Sequence, residues 1–497
     1  MRRLAATLAA LALAGPALAQ DRPLVTTAAG PVRGVVEEGA SVYKNIPFAA
    51  PPVGALRWKP PVKAAAWTAP RDAAAYGNIC SQPPRPDGVV AAGAGRPQSE
   101  DCLNLNIWSP KGAKAAPVMV WIHGGAFRFG SGGGPAYDGA VFAHDGVVLV
   151  SINYRLGAMG WFAHPALTKA AGPNEPIGNY GLMDQIAALE WVKANIAAFG
   201  GDPANVTVFG ESAGGSSVLA LLATPSAKGL FAKAIVESGG GWQSPEPLAA
   251  QEKIGADLAA AQGLPVASAT VEQLRALPVE KFFGLGGGAG AVGPFTDGRL
   301  MKETPAQAFA AGHAIDVPLI IGANSFEASL MRAFPIPTPV MLSRLNAEQK
   351  ALYAKANGSD EAVVQAAYTD IVMGGPARWV AAKAAGGAPS FLYYFSYVGT
   401  AARGVSPGAA HGGEIVYAFG TGSRIAPRAT VEDRNMESFM HGCWVGFAKT
   451  GRPVCPGQAW PAYTPAGDQL LELGVSTGVR TNFRKPFLDA DQKAAGR

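Results

Sequence analysis

One short run concentrates chemistry: Gly210-Glu211-Ser212-Ala213-Gly214, a G-x-S-x-G pattern. It directly follows the β-branched run Val206 to Phe209 and opens a helical pattern from Gly214 to Ala223. On such a strand-turn-helix, glycines let backbone segments approach closely and the serine projects from the carboxyl edge of a sheet. The helix behind it aims its positive end at the same spot. The plainer role for Ser212 is a helix N-cap. A hydroxyl needs a base to become a nucleophile, and six histidines are available. His123 belongs to a Gly-containing loop, and His144 and His164 precede the nucleophile. His313 precedes a strand candidate, and His441 lies inside an amphipathic helix pattern, where packing or surface exposure is expected. His411 stands in the loop Gly408 to Gly413, after the strand candidate Phe391 to Tyr397. A loop leaving a strand's carboxyl end is where ligand chemistry collects in open α/β sheets.

The base in turn needs an acid to fix its tautomer and stabilise the imidazolium. Glu327 follows the strand candidate Val317 to Ile321, at the carboxyl end; Asp316 precedes that strand, and Asp297 lies in a turn, Thr296-Asp297-Gly298. An alkoxide developing at the substrate needs donors already aimed at it. Trp121-Ile122-His123-Gly124-Gly125-Ala126 follows another strand candidate and resembles the H-G-G-G loop type. Gly124, Gly125 and Ala213 are the expected backbone donors. The chain order Ser212, Glu327, His411 is that of an α/β-hydrolase.

The elements that must position these groups are legible as alternation. Val118 to Ile122, Val147 to Ile152, Val206 to Phe209, Ala234 to Glu237 and Val317 to Ile321 look like buried strands. Tyr180 to Phe199, Gly214 to Ala223 and Val431 to Lys449 have helical spacing. Strands alternating with helices predict a mostly parallel sheet covered on both faces, an α/β fold. The first hundred residues are turn-rich, with short candidates such as Gly34 to Val36, and predict an antiparallel N-terminal extension of that sheet. The Gly-rich stretch Gly284 to Gly293 reads as a loop, without the Lys-Ser/Thr of a phosphate-binding loop.

Length and composition bound the rest. The chain has 497 residues, 48% hydrophobic and 15% charged, which excludes a disordered polymer. Arg2 and Arg3, the apolar run Leu4 to Ala14 and Ala17-Leu18-Ala19 read as an export signal over residues 1–19. Eleven apolar residues rise about 16 Å as a helix, half a bilayer core, so no permanent anchor is expected. Residues 20–497 are expected to form one catalytic domain without an integral membrane segment, secreted or periplasmic. The formal charge of +5, two of it in the signal, argues against nucleic acid as a partner. In an oxidising compartment Cys80, Cys102, Cys443 and Cys455 can pair in three ways. The sequence-local pairing, Cys80 with Cys102 and Cys443 with Cys455, closes two short loops worth on the order of 3 kcal/mol each. No C-x-x-C spacing suggests a metal site, and none of the chemistry above requires a cofactor.

Further blocks carry a family resemblance. Asn45-Ile-Pro-Phe-Ala-Ala-Pro-Pro52 with Leu56-Arg-Trp58, Glu100-Asp-Cys-Leu-Asn-Leu-Asn-Ile-Trp108 and Asn153-Tyr-Arg-Leu156 are three. Gly178-Asn-Tyr-Gly-Leu-Met-Asp-Gln185 and Phe199 to Gly215 are two more. From about residue 24 to residue 465 the chain resembles the type-B carboxylesterase and cholinesterase family. The resemblance implies an α/β-hydrolase fold and a Ser212/Glu327/His411 triad with three oxyanion donors. It also implies a Cys80–Cys102 disulfide, and Glu211 and Ser238 as polar neighbours of the triad. The implied activity is ester hydrolysis through an acyl-enzyme, and the low charge, which offers no steering for an ionic substrate, points to small to medium neutral esters. Amide cleavage by the same triad and a non-catalytic binding protein on the same fold are the alternatives. The sequence departs from the family where an acidic residue and a glycine usually flank the acid; Phe326 and Ala328 stand there. The stretch Gly240 to Val292 matches only weakly.

Overall fold

The computed structural model describes residues 22–84, 93, 95–242, 247–266, 268–284, 292–426 and 428–497. The expected export signal and most of the Gly284–Gly293 stretch lie outside them. Eleven strands make the central sheet. In chain order they are β1 (Val35–Glu37), β2 (Ala40–Pro47), β3 (Asn104–Pro110), β4 (Ala116–Ile122), β5 (Val148–Ile152) and β6 (Gly201–Glu211). Then follow β7 (Lys233–Glu237), β8 (Leu319–Asn324), β9 (Ser390–Phe395), β10 (Gln469–Leu473) and β11 (Gly478–Thr481). Across the sheet the order is β11-β10-β9-β8-β7-β6-β4-β5-β3-β2-β1. From β5 through β10 neighbouring strands run parallel. The early strands β1, β2 and β3 join antiparallel, as the turn-rich N-terminal sequence predicts. The antiparallel end β10–β11 was not anticipated; its segments are short and interrupted by polar residues, so neither period stands out.

Both faces of the parallel core are buried, which is why its strands read as unbroken apolar runs. Val118, Val120 and Ile122 of β4 pack on one face with Leu182, Leu189 and Val192. These come from helix α1 (Tyr180–Asn195), which ends in a tighter turn, Ile196–Phe199, stopped by Gly200 at φ +84°. Helix α2 (Ala213–Leu222) covers the same face. Met119 and Trp121 point the other way, into a cluster with Phe209, Phe419, Trp444 and Phe447. Trp444 and Phe447 belong to helix α3 (Val431–Thr450). Thr430 and Asp433 cap its start reciprocally, and Gly451 at φ +76° ends it. Ile122 is fully buried; truncating it to Ala would cost about 3 kcal/mol. The four cysteines pair locally, Cys80–Cys102 and Cys443–Cys455, with Cα–Cα distances of 5.0 and 4.4 Å.

Candidate active site

Strand β6 ends at Glu211 and α2 begins at Ala213, so the chain reverses on the single residue Ser212. Its φ of +57° and ψ of −122° are strained for a residue with a Cβ. The surroundings enforce that conformation. The Ser212 N–H donates to the Glu237 carbonyl at 2.9 Å, and the Ser216 N–H to the Ser212 carbonyl at 2.8 Å. A Cβ on Gly214 would lie 2.0 Å from the Ile122 carbonyl oxygen, and one on Gly210 2.6 Å from the same atom. Both glycines are therefore set by the contact of β6 with β4. The Ser212 side chain makes no capping bond to α2, so the N-cap role is not the one it takes.

The loop after β4 packs against this turn. A Cβ on Gly124 would come within 3.1 Å of the Ser212 Cβ. Gly125 has φ +112°, and a Cβ there would meet the Phe129 carbonyl oxygen at 2.3 Å. Ala126 and Phe127 also have positive φ. The loop is held from two sides. Tyr154 donates its hydroxyl to the His123 carbonyl at 2.8 Å and stacks on the His123 ring. Gln82 accepts from the Gly130 N–H and donates to the Cys80 and Gly130 carbonyls. Ala213 opens α2, so its N–H has no intrahelical partner. Gly124 and Ala213 thus flank the serine directly, with Gly125 next in the chain.

Glu327 lies just beyond β8 and is fully buried. Its Oε2 is 2.5 Å from His411 Nδ1. Its Oε1 accepts from the Ser238 hydroxyl and from the Asn324 N–H, both at 2.6 Å. A proton on Nδ1 is fixed by that carboxylate, which leaves Nε2 as the acceptor of a neutral ring. Nε2 is buried without a hydrogen-bond partner. Glu211 Oε1 lies 3.0 Å from it, in ion-pair range but out of line for a hydrogen bond. The His411 loop is stitched to the Glu327 loop through its backbone. The Phe326 N–H donates to the Ala409 carbonyl at 2.9 Å. The Ala409 and His411 N–H groups donate to the Ser325 and Ser329 hydroxyls at 2.8 and 2.9 Å. Asn324 Nδ2 donates to the Ala410 carbonyl at 2.9 Å. At Phe326 it is the main chain that is used, so an aromatic side chain there leaves Glu327 in contact with the imidazole.

The candidates set aside lie elsewhere. Asp316 accepts from the Ala388 N–H, and Asp297 from the N–H groups of Arg299, Leu300 and Met301. His441 is buried on the Ala418 carbonyl, and His313 is exposed on Glu303. His164 caps a short helix.

Three buried glutamates act on one imidazole, Glu211, Glu327 and Glu414, and a fourth, Glu237, is buried beside Glu211. Burial raises the carboxyls of Glu211, Glu237 and Glu414 above the usual range; the charge of Glu327 adds to it at Glu211, where His411 opposes it, that of Glu211 adds at Glu237, and those of Glu211, Glu237 and Glu327 add at Glu414. Burial alone would lower the His411 value, but the charges of Glu211 and Glu327 overcome it and favour the imidazolium. Glu414, Glu237 and Asn324 were not singled out in the sequence. Glu414 carried a usable signal, since it stands three residues after His411. Asn324 donates to it as well as to the His411 loop. Among the described residues no group of three or more His, Cys, Asp or Glu side chains is placed to hold a metal ion.

The profile of the Carboxylesterase family matches residues 21–362 and 343–490. The chain is 37% identical to the para-nitrobenzyl esterase of Bacillus subtilis (strain 168), over 90% of its length and 94% of that protein's. It is 35% identical to the fumonisin B1 esterase of Sphingopyxis macrogoltabida, over 95% and 90% of the two chains. Among solved structures, a PNB esterase superposes with a TM-score of 0.83 at 33% identity, covering 94% of this chain and 99% of that one. A carboxylesterase of Geobacillus stearothermophilus superposes with a TM-score of 0.81 at 33% identity, covering 95% and 100%. The sheet order, the strained serine turn and these matches together identify an α/β-hydrolase: the chain belongs to the carboxylesterase family.

Proposed function

We propose that this protein hydrolyses small to medium neutral carboxylic esters through an acyl-enzyme on Ser212, with His411 as base and Glu327 as its orienting acid. The observation that carries the reading is the Glu327–His411 contact, 2.5 Å at Nδ1, which leaves an unpartnered Nε2 as the acceptor of a neutral ring. In the first half-reaction His411 Nε2 takes the Ser212 proton as Oγ bonds to the ester carbon. The carbonyl oxygen becomes an alkoxide facing the N–H groups of Gly124, Gly125 and Ala213. The C–O bond to the alcohol then breaks, and His411 returns the proton to the departing oxygen. Water repeats the sequence on the acyl-enzyme and releases the acid. No cofactor enters either half. The names of the relatives, para-nitrobenzyl esterase and fumonisin B1 esterase, support an ester as the substrate. Two disulfides and the N-terminal sequence support an exported protein, with residues 1–19 as signal and 20–497 as one catalytic domain.

An organophosphate should label the protein once per chain, and Ser212→Ala should abolish both the label and ester hydrolysis. Hydrolysis surviving at the parent rate in that variant would overturn the reading. Matched ester and anilide substrates would separate esterase from amidase action.

A further inference from the structure

The strand register lines up a row of side chains that the hydrolytic mechanism leaves unused. Glu211 of β6 pairs with Glu237 of β7, Glu237 with Gly322 of β8, and Gly322 with Tyr393 of β9. Register partners on parallel strands point to the same face, and adjacent strands lie about 4.8 Å apart. The two glutamates are therefore direct neighbours. Gly322 leaves a gap that the Tyr393 ring fills: a Cβ at Gly322 would meet that ring at 2.4 Å. Trp444 of α3 donates its indole N–H to Glu237 Oε1 at 2.7 Å. Three atoms of the row are buried with no hydrogen-bond partner: Glu211 Oε1, Glu237 Oε2 and the Tyr393 hydroxyl. Charges from His411, Glu327 and Glu414 act on this row, and among the described residues no Lys or Arg pairs with either glutamate.

Two ionised carboxylates side by side in a dry interior repel each other and lack solvation. A permanent cation is the usual remedy, and none is supplied. A proton is the remaining one. We propose that Glu237 is a positioning residue whose carboxyl, beside Glu211 in the β6–β7 pair, retains a proton and so limits the negative charge presented to the His411 imidazole. Resting on the reading of His411 as base, this gives the second glutamate a purpose. An imidazole held between two full negative charges stays imidazolium and accepts nothing. With one of the row's protons retained, the neutral ring needed to deprotonate Ser212 becomes accessible. The Trp444 N–H favours the carboxylate form of Glu237 and so opposes proton retention.

Two measurements test this on the full chain. Difference infrared spectroscopy between neutral and alkaline pH should show a protonated-carboxyl band, one carboxyl of which disappears in Glu237→Gln. This readout needs no turnover, so its failure is distinct from failure of the esterase reading, which Ser212→Ala addresses. The second is the shape of the kcat/KM profile against pH, each variant normalised to its own maximum. In the parent, loss of that proton on the alkaline side adds a charge, tightens the hold on imidazolium and lowers activity. Glu237→Gln should lose that inflection, and Trp444→Phe should move it to higher pH. An unchanged band in Glu237→Gln, or identical normalised profiles for all three proteins, would overturn the proposal.

Discussion

Arg155 and Asp184 are 3% and 0% exposed at their side chains. The guanidinium donates to both carboxylate oxygens at 2.8 Å, and the Arg155 backbone N–H adds a third bond at 3.0 Å. Arg378 is held in the same manner by Asp468, with Asp489 as a second partner. Each of these sites matches negative charge with a cation that never leaves. Around His411 the arrangement differs: three buried glutamates act on one imidazole, and oxygens of Glu211 and its neighbour Glu237 are left without donors. A fork-to-carboxylate pair has one stable protonation state and holds segments together. A set of carboxyls around a histidine has several states close in energy, which is what proton transfer requires. On the proposed reading, the difference separates the buried charges that hold the fold from those that do the chemistry.

The contrast can be tested from the strongest effect downward. Glu327→Gln keeps the shape of the side chain but no longer fixes Nδ1–H; kcat should fall about 10⁴-fold. Chemical denaturation should meanwhile show a folded protein, and a large stability loss with retained kcat would erase the distinction. Asp184→Ala should do the reverse. Leaving Arg155 buried and unpaired costs about 4 kcal/mol in urea unfolding, with kcat in the surviving folded fraction changed only a few-fold.

Asp433 offers a paired carboxylate whose partners are neutral. Burial pushes its value up, but donors from Thr400, Thr430 and Tyr397 outweigh burial and hold it well below the usual range. A lowered folded value means the stabilisation is full above the unfolded value of about 4 and fades as pH drops through the folded one. Asp433→Asn should therefore cost about 2 kcal/mol at neutral pH. The gap between variant and parent should close in acid; a gap independent of pH would show that charge is irrelevant at this cap. Smallest is Lys253→Ala, which removes an exposed i, i+4 pair with Asp257. It should shift stability by about 0.4 kcal/mol or less, and a larger shift in thermal unfolding would mean that solvent-facing pairs matter here after all.

Much of the scaffold was legible because burial on both faces writes an apolar run for each central strand. Among the boundaries that moved, two have plain local reasons. β8 begins at Leu319 rather than Val317 because Pro318 has no N–H for the ladder. The last turn of the helix begun at Tyr180 tightens before Gly200. Ser212 and the glycines of its turn could be located from a five-residue pattern, since the turn's sterics are local. His411 and Glu327 needed the further argument that they follow strands at the carboxyl edge. Glu237 and Tyr393 were invisible as site neighbours. What brings them beside Glu211 is the register of four strands, spread from residue 201 to residue 395. No local pattern encodes that.

The Gln82 amide joins the Cys80 carbonyl to both backbone groups of Gly130, the far end of the loop that presents Gly124 and Gly125. If Gly124 and Gly125 serve as proposed, the Cys80–Cys102 bridge is a brace for a catalytic surface as well as a staple for the N-terminal region. A molecule matured in a thiol-rich cytosol would fold around the same sheet yet present a slack loop to its substrate. Preparations made in reducing and oxidising hosts would then differ in specific activity while sharing one circular-dichroism spectrum.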